Sequence, residues 1–228
     1  MSETKIWNKK NLNEMNSFRH FPSEMILRAV FSEQYFINKI ESSTRSKVLD
    51  VGCLFVNNLV PFSDRGYALY GTEVTIEGVE IAKECSIINN IQTNVYLGFN
   101  SDLPFESNFF NITMSIATIH YEENLDGIRN SFKEFARVLK HNGTLILKTV
   151  APKHEMFIKS NRIKGNIYKL EMESDLRHNQ KFFFFENEKE LIEIAGEYFE
   201  KVEFARITES YPKLALDFYL LKCLNPKK

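Results

Sequence analysis

The sequence predicts an α/β fold, with a doubly wound, mainly parallel sheet that carries helices on both faces. Short apolar runs alternate with helical segments along most of the chain, and this order is typical of parallel strands joined by crossover helices. Several runs are apolar on both sides of the strand, as expected when helices cover both faces. The 228 residues correspond to about one domain.

The first predicted element is an N-terminal helical cap, residues 1–46. Pro22 suits the first position of a helix, and mostly apolar residues recur after it near the helical period. Residues 42–46 have the composition of a linker. The helical positions are Met25, Ile26, Ala29, Val30, Glu33 and Ile37.

Strands and helices alternate over residues 47–150. The helix at 125–139 is the clearest, because its apolar residues recur at intervals of three and four and the pattern ends near Asn142 and Gly143. An earlier helix is predicted at 76–89. The strands are predicted at residues 47–51, 67–72, 94–97, 110–116 and 144–150.

Residues 151–181 interrupt this alternation and form a predicted insertion, which is followed by the C-terminal segment 182–228. In that segment we expect a buried strand at 182–185 and a helix capped by Asn187. Two final strands are predicted at residues 202–208 and 216–221. The basic residues between 148 and 169 are Lys148, Lys153, Lys159, Arg162, Lys164 and Lys169, against Glu155 alone.

Composition and charge exclude several classes of protein. A net charge of −1 gives no general attraction to nucleic acid or to anionic membranes. No apolar leader follows Met1, and no apolar run approaches the roughly 18 residues of a membrane span. Three widely spaced cysteines and scattered histidines form neither a disulfide framework nor a metal site. We therefore expect a cytoplasmic protein that binds no metal, membrane or nucleic acid.

The expected site lies at the carboxyl ends of the strands, where doubly wound sheets bind ligands. Asp50 and Gly52 end the first strand, and Glu73 ends the second. In nucleoside-binding α/β folds an acid at that place accepts hydrogen bonds from ribose hydroxyls. A solvated acid at a strand end would also explain Glu73, but its spacing from Gly52 favours the ribose role.

Five segments resemble, in order, the motifs of class I S-adenosylmethionine-dependent methyltransferases. The resemblance spans about residues 47–208 and implies a seven-stranded sheet whose last strand is antiparallel. It also implies S-adenosylmethionine as cofactor and methyl transfer to an oxygen or nitrogen of a small-molecule or sugar-linked acceptor, by a monomer or homodimer. The segments are residues 48–53 (VLDVGC), 66–75 (GYALYGTEVT), 102–111 (DLPFESNFFN), 137–145 (RVLKHNGTL) and 185–199.

The resemblance also suggests which residues contact the cofactor and which do chemistry. His120 follows the fourth strand, and an imidazole near its ordinary pKa can take a proton at neutral pH. A packing role is the alternative for His120, and Tyr121 is the weaker catalytic candidate. The cofactor residues would be Asp50, Gly52, Cys53, Leu54, Glu73, Val74, Phe99, Asn100, Ser101 and Ser115.

Acceptor recognition is expected from the N-terminal cap and from the insertion at 151–181. An excess of lysine and arginine beside the cavity would suit a phosphorylated or carboxylated acceptor. An ordinary solvated surface explains the same charges equally well. The candidate residues of the cap are Trp7, Phe18, Arg19, His20, Phe21 and Arg28.

The sequence departs from the family pattern in the loop after the first strand. Leu54 and Val56 stand where the family has its second and third glycines, and Phe99 stands where an acid commonly contacts adenine. Asn111 replaces the usual Asp. Glycine is scarce throughout, with 9 residues against 20 phenylalanines. Because a positive φ is unfavourable for a branched residue, we expect a shifted loop with weaker cofactor binding.

Two other functions stay open. The chain could be a non-catalytic relative that keeps the fold but has lost the cofactor and serves as a binding or scaffold protein. A nicotinamide-dependent oxidoreductase is a more distant alternative, because a dinucleotide needs glycines in this loop for the backbone to approach its pyrophosphate.

Overall fold

The structure is a computed structural model, and it describes residues 10–11, 20–40 and 45–227. Its strands in chain order are β1 (Lys47–Val51), β2 (Ala68–Glu73), β3 (Thr93–Leu97), β4 (Phe110–Ile116), β5 (Leu139–Val150), β6 (Ser160–Lys164), β7 (Ile167–Leu170), β8 (Lys181–Phe183), β9 (Phe199–Tyr211) and β10 (Leu214–Pro226). Its helices are α1 (Glu24–Phe31), α2 (Val60–Ser63), α3 (Ile76–Ile88), α4 (Leu125–Val138), α5 (Glu155–Ile158) and α6 (Glu188–Tyr198).

A seven-stranded sheet in the order β3-β2-β1-β4-β5-β10-β9 forms the centre of the fold. β1 to β5 run parallel to one another. β10 is antiparallel to both of its neighbours, β5 and β9. The predicted doubly wound sheet with an antiparallel last strand is therefore confirmed.

Helices cover both faces of this sheet. Successive residues of a strand point to opposite faces, so Val48 and Leu49 of β1 belong to different clusters of core residues. On the Val48 face, Ile26 of α1 and Ile81 of α3 complete the core. On the Leu49 face, α4 and α6 supply residues such as Phe132. The carboxyl ends of the strands remain uncovered between these helices.

Local hydrogen bonds mark where the longer helices begin. The side chain of Thr75 accepts a hydrogen bond from Gly78 N at 3.0 Å and caps α3. Asn124 caps α4 through Gly127 N at 2.9 Å. Asn187 caps α6, as the sequence predicts, by accepting from two backbone N–H groups. Each cap satisfies donors that the first turn of a helix leaves unpaired.

The insertion forms a small antiparallel sheet in the order β6-β7-β8. Phe182 of β8 packs its ring 5.2 Å from the ring of Tyr121, which follows β4. Phe184 and Tyr168 extend the same apolar cluster. The insertion thus lies against the segment that follows β4. Among the described residues, no helix is long and apolar enough to cross a membrane.

The structure corrects three predicted boundaries. The cap helix begins at Glu24 with Ser23 as its N-cap, not at Pro22, and it ends at Phe31. Its buried residues, Ile26 and Ala29, lie within these two turns. Ile37 lies beyond it and is 92% exposed. α4 ends at Val138, because β5 begins at the next residue and pairs with β4 from there. The predicted linker lies partly outside the described residues, which resume at 45.

Candidate functional site

A cavity of about 780 Å³ opens at the carboxyl ends of β1, β2, β3 and β4. This volume is within the range of about 300–1,000 Å³ that small-molecule sites usually have. The predicted residues that line it are Gly52, Leu54, Glu73, Val74, Phe99, Asn100, Ser101 and Tyr121.

The loop after β1 adopts left-handed backbone at all three positions where the family has glycine. Gly52 has a φ of 72°, Leu54 a φ of 33° and Val56 a φ of 51°. A Cβ at Gly52 would lie 2.5 Å from Thr118 Cγ2, so a side chain there would not fit. The loop therefore keeps its positive φ angles although two of the glycines are gone. The Leu54 side chain lines the cavity, whereas Val56 is fully buried.

Glu73 connects the end of β2 to this loop. Its carboxylate accepts a hydrogen bond from Leu54 N at 2.7 Å, and its side chain is 5% exposed. Burial raises the pKa of Glu73 to about 7, although hydrogen bonds from Leu54 N and Val74 N oppose the rise. A Cβ at Gly78 would lie 3.0 Å from Glu73 Oε2, so the glycine in α3 gives the carboxylate room.

The segment after β3 supplies an aromatic and a polar group to the cavity. Phe99 is 44% exposed and lines the cavity with its ring. The Asn100 side chain donates to Thr118 O at 3.2 Å and to Glu122 Oε1 at 3.0 Å. Asn100 therefore ties the segment after β3 to the segment after β4, while Phe99 presents an apolar surface to a ligand.

Three predicted cofactor residues are buried and do not line the cavity. The Asp50 carboxyl is buried beside the Asn58 side chain, and burial, together with the nearby Glu73 charge, raises its pKa. Cys53 packs against Gly71, where a Cβ would lie 2.4 Å from the sulfur. Ser115 Oγ lies 2.8 Å from Thr118 Oγ1. These residues shape the loops beneath the cavity, and direct contact with a ligand would require them to move.

The structure separates the two predicted catalytic residues. Tyr121 lines the cavity, whereas His120 is 1% exposed and does not. The imidazole of His120 packs against Phe182 and Phe184 of the insertion, and its Nδ1 lies 3.4 Å from Thr149 Oγ1. Burial lowers the pKa of His120 to about 3, and nearby positive charges lower it further. This placement favours the packing role for His120 that the sequence left open.

Glu122 and Arg177 are among the cavity residues that sequence reasoning missed. Burial raises the pKa of Glu122, against a hydrogen bond from Asn100. Arg177 makes a bidentate pair with Asp175, at 2.8 and 2.6 Å, and a further hydrogen bond with Tyr121. Glu122 directly follows Tyr121, which the sequence indicates as a catalytic candidate. No local pattern distinguishes Arg177 from the other basic residues of the insertion.

Comparison with known families decides what this arrangement is. Residues 49–147 match the methyltransferase domain family, and they span most of β1, all of β2 to β4 and α2 to α4, and most of β5. The matched residues form a methyltransferase domain, of the S-adenosylmethionine-dependent class I type. The sterol 4-C-methyltransferase strm-1 of Caenorhabditis elegans is 28% identical over 115 residues, which are 50% of this chain and 34% of that protein. The chain thus spans about a third of the length of the curated relative it matches.

Solved structures share the fold of the methyltransferase domain at low identity. A protein from Pyrococcus horikoshii OT3 has a TM-score of 0.64 and 20% identity, covering 94% of this chain and 99% of that chain. An S-adenosylmethionine-dependent methyltransferase from Thermotoga maritima, described as a possible histamine N-methyltransferase, has a TM-score of 0.62 and 18% identity, covering 97% and 98%. These similarities extend the fold assignment to nearly the whole chain.

The basic residues of the insertion do not surround the methyltransferase cavity. Arg162 and Lys164 are exposed on β6, and none of the six basic residues at 148–169 lines the cavity. Lys148 is half-buried with its Nζ 4.5 Å from the centre of the Phe218 ring, and burial lowers the pKa of its ammonium to about 8. Of the cap residues, Trp7, Phe18 and Arg19 lie outside the described residues. His20, Phe21 and Arg28 do not line the cavity.

The residues present fit S-adenosylmethionine, the cofactor of this family. Glu73 stands at the end of β2 where its carboxylate can accept from ribose hydroxyls, and Phe99 with Ile76 offers apolar contact to an adenine ring. Gly52 and Leu54 would lie against the amino acid part. When bound, the cofactor supplies a methyl group activated by its sulfonium. Among the described residues, no group of three or more acidic, histidine or cysteine side chains could hold a metal ion.

Proposed function

We propose that the chain transfers the methyl group of S-adenosylmethionine to an oxygen or nitrogen of a small-molecule or sugar-linked acceptor. The observation that carries the proposal is the cavity at the strand ends, whose wall joins Glu73 to Tyr121, Glu122 and Arg177. Glu73 and the loop after β1 hold the cofactor in this proposal. The remaining wall has room and polar groups for an acceptor.

The acceptor is held, we propose, by the three polar residues Tyr121, Glu122 and Arg177. Transfer from a sulfonium needs an aligned nucleophile, and a hydroxyl or ammonium must also lose a proton. Glu122 is a carboxyl inside the cavity with a raised pKa, so it replaces His120 as the candidate base. Arg177 is a cationic residue of the cavity wall. Because it is already paired with Asp175, it would attract an anionic acceptor only modestly.

Calorimetric titration with S-adenosylmethionine and S-adenosylhomocysteine tests the cofactor part of the proposal. We expect the wild type to bind both and Glu73→Ala to bind about tenfold to a hundredfold more weakly, because a charged hydrogen bond is worth about 1.5–3 kcal/mol. Glu80→Ala is the matched control, since Glu80 is an exposed glutamate on the following helix, α3, and lies outside the cavity. No heat at millimolar ligand would overturn the proposal and favour a non-catalytic binding protein.

A second experiment tests the acceptor part. Release of S-adenosylhomocysteine is followed with a panel of small amines, phenols and sugar hydroxyls, and an acceptor found this way is used with Glu122→Gln. We expect the rate to fall at least tenfold while S-adenosylhomocysteine still binds. If binding falls to the same extent as the rate, Glu122 contacts the cofactor and its role as base is wrong.

A further inference from the structure

The loop after β1 holds an unfavourable backbone conformation without help from glycine. Leu54 and Val56 both have positive φ angles, which residues with a Cβ adopt at a cost that is largest for β-branched side chains. Left alone, such a loop would relax toward negative φ angles. Its Leu54 N–H would then no longer point at the Glu73 carboxylate. Something else in the chain must hold the loop in place.

Residues 20–23, which we call the N-terminal clasp, contact the loop at three successive places. The His20 ring stacks on the Phe55 ring with their centroids 3.7 Å apart and their planes 4° apart. Asn57 Nδ2 donates to Phe21 O at 2.7 Å. The backbone N–H of Ser23 donates to Asn58 Oδ1 at 3.1 Å. Three residues of the clasp thus contact three residues of the segment 55–58 from outside the cavity.

Inside the fold, two further hydrogen bonds secure the same loop. Leu54 N donates to Glu73, and Val56 N donates to Cys53 O at 2.7 Å. The Glu73 carboxylate is also the group expected to accept from the ribose, so its bond to the loop is shared with the ligand. The clasp lies outside the cavity, so its contacts with the loop are not shared with a ligand. It can therefore hold the loop in both the free and the bound state.

We propose that the N-terminal clasp is a positioning element that keeps the glycine-poor loop in the conformation that binds the cofactor. The inference rests on the proposed function, because the loop is useful in this conformation only if the cavity takes S-adenosylmethionine. His20 is the main residue of the clasp, because its ring stacks almost parallel on the ring of Phe55. Phe55 is itself only 7% exposed. The clasp acts through the loop and contacts no substrate.

The test removes the stacking ring and then restores it. We expect His20→Ala to bind S-adenosylhomocysteine about threefold to tenfold more weakly, which corresponds to the usual strength of one ring pair. His20→Phe keeps a ring over Phe55 and should bind within about twofold of wild type. His141→Ala is the matched control, because His141 is exposed at the start of β5 and away from the cavity. It should leave binding unchanged.

Hydrogen exchange of the free protein gives a readout that does not depend on the cofactor. We expect His20→Ala to speed exchange of the Leu54 and Val56 amides at least threefold, while amides of β4 stay protected. In a Leu54→Gly background one left-handed residue is no longer strained. There His20→Ala should weaken S-adenosylhomocysteine binding by less than about twofold. A merely structural role for His20 would not produce this dependence on residue 54.

The outcomes separate this inference from the proposed function. If the wild type binds S-adenosylhomocysteine and His20→Ala binds it equally well with unchanged exchange, the clasp is overturned and the proposed function stands. If His20→Phe fails to restore binding, stacking is not what positions the loop and the inference is also overturned. If the wild type binds nothing but His20→Ala still loosens the loop, the proposed function fails and the clasp holds the loop for another purpose, which overturns its role toward the cofactor.

Discussion

Substitution of Val56 measures how much strain the loop after β1 contains. Its φ is 51° and its side chain is 0% exposed. Left-handed backbone costs a residue with a Cβ about 1–2 kcal/mol, whereas glycine avoids that cost and loses about 0.5–1 kcal/mol of backbone entropy relative to alanine. Both Val56→Ala and Val56→Gly lose the buried valine side chain. We therefore expect Val56→Gly to be the more stable of the two by about 0.5–1 kcal/mol.

Val48 in β1 is the matched control for this comparison. It is also 0% exposed, and its φ is not positive. Here Val48→Gly should be less stable than Val48→Ala by about 0.5–1 kcal/mol. The Gly–Ala difference thus changes sign between the two sites, with a total change of about 1–2 kcal/mol. For a chain of this size that change corresponds to about 2–8 °C in Tm.

Urea unfolding followed by circular dichroism gives the free energy of unfolding for all four variants, and thermal melts give their Tm. The reasoning depends on the sign at Val56 rather than on the absolute loss, because both variants leave a similar cavity. If Val56→Gly proves less stable than Val56→Ala by the same margin as at Val48, the backbone at Val56 is not strained. That result would refute both the cost assigned to the loop and the need for a clasp to offset it.

Three further predictions concern buried ionisable groups. Because burial raises the pKa of Glu73 from 4.5 to about 7, the unfolded chain releases this proton at lower pH than the folded chain, and stability should fall as pH rises through that window. Urea unfolding at pH 5 and pH 8 should show a smaller decrease for Glu73→Gln than for wild type. His120→Phe should leave the pH dependence of methyl transfer between pH 5 and 8 unchanged, since the pKa of His120 is lowered to about 3; a shifted profile would restore it as a base. Asp217→Ala should lower the free energy of unfolding by about 2–3 kcal/mol, because it leaves the Arg206 guanidinium and Lys153 N–H without their acceptor. In denaturant titrations Arg206→Ala should cost less, and an equal or larger loss would contradict this account.

Elements that carry their own boundaries could be predicted from the sequence. β4 is predicted at 110–116 and observed at Phe110–Ile116, because a nearly continuous apolar run of this length is typical of a buried strand. Asn187 was predicted to cap a helix and does so, because a cap is a hydrogen bond between residues two or three apart. Glu73 is predicted to end the second strand, and it is the last residue of β2.

Features that depend on distant contacts could not be predicted. The insertion has no periodic pattern, and its small sheet forms because Phe182 and Tyr168 pack against the segment after β4. That packing determines which of two adjacent residues, His120 or Tyr121, faces the cavity. The sequence shows both residues after the strand, but it does not show the aromatic cluster that buries His120. The approach of Arg177 to Tyr121 depends on the same packing.

The space around each residue explains why the loop after β1 needs glycine at residue 52 but accepts side chains at residues 54 and 56. At Gly52, where φ is 72°, a Cβ would lie 2.5 Å from Thr118 Cγ2, so a side chain there would overlap its neighbour. Leu54 and Val56 require positive φ angles, yet their side chains have space, one in the cavity wall and one in the core. A conformational cost of about 1–2 kcal/mol can be offset by burial and by outside contacts. A steric overlap cannot be offset in this way without moving the neighbouring residue, so residue 52 requires glycine more strictly than residues 54 and 56 do.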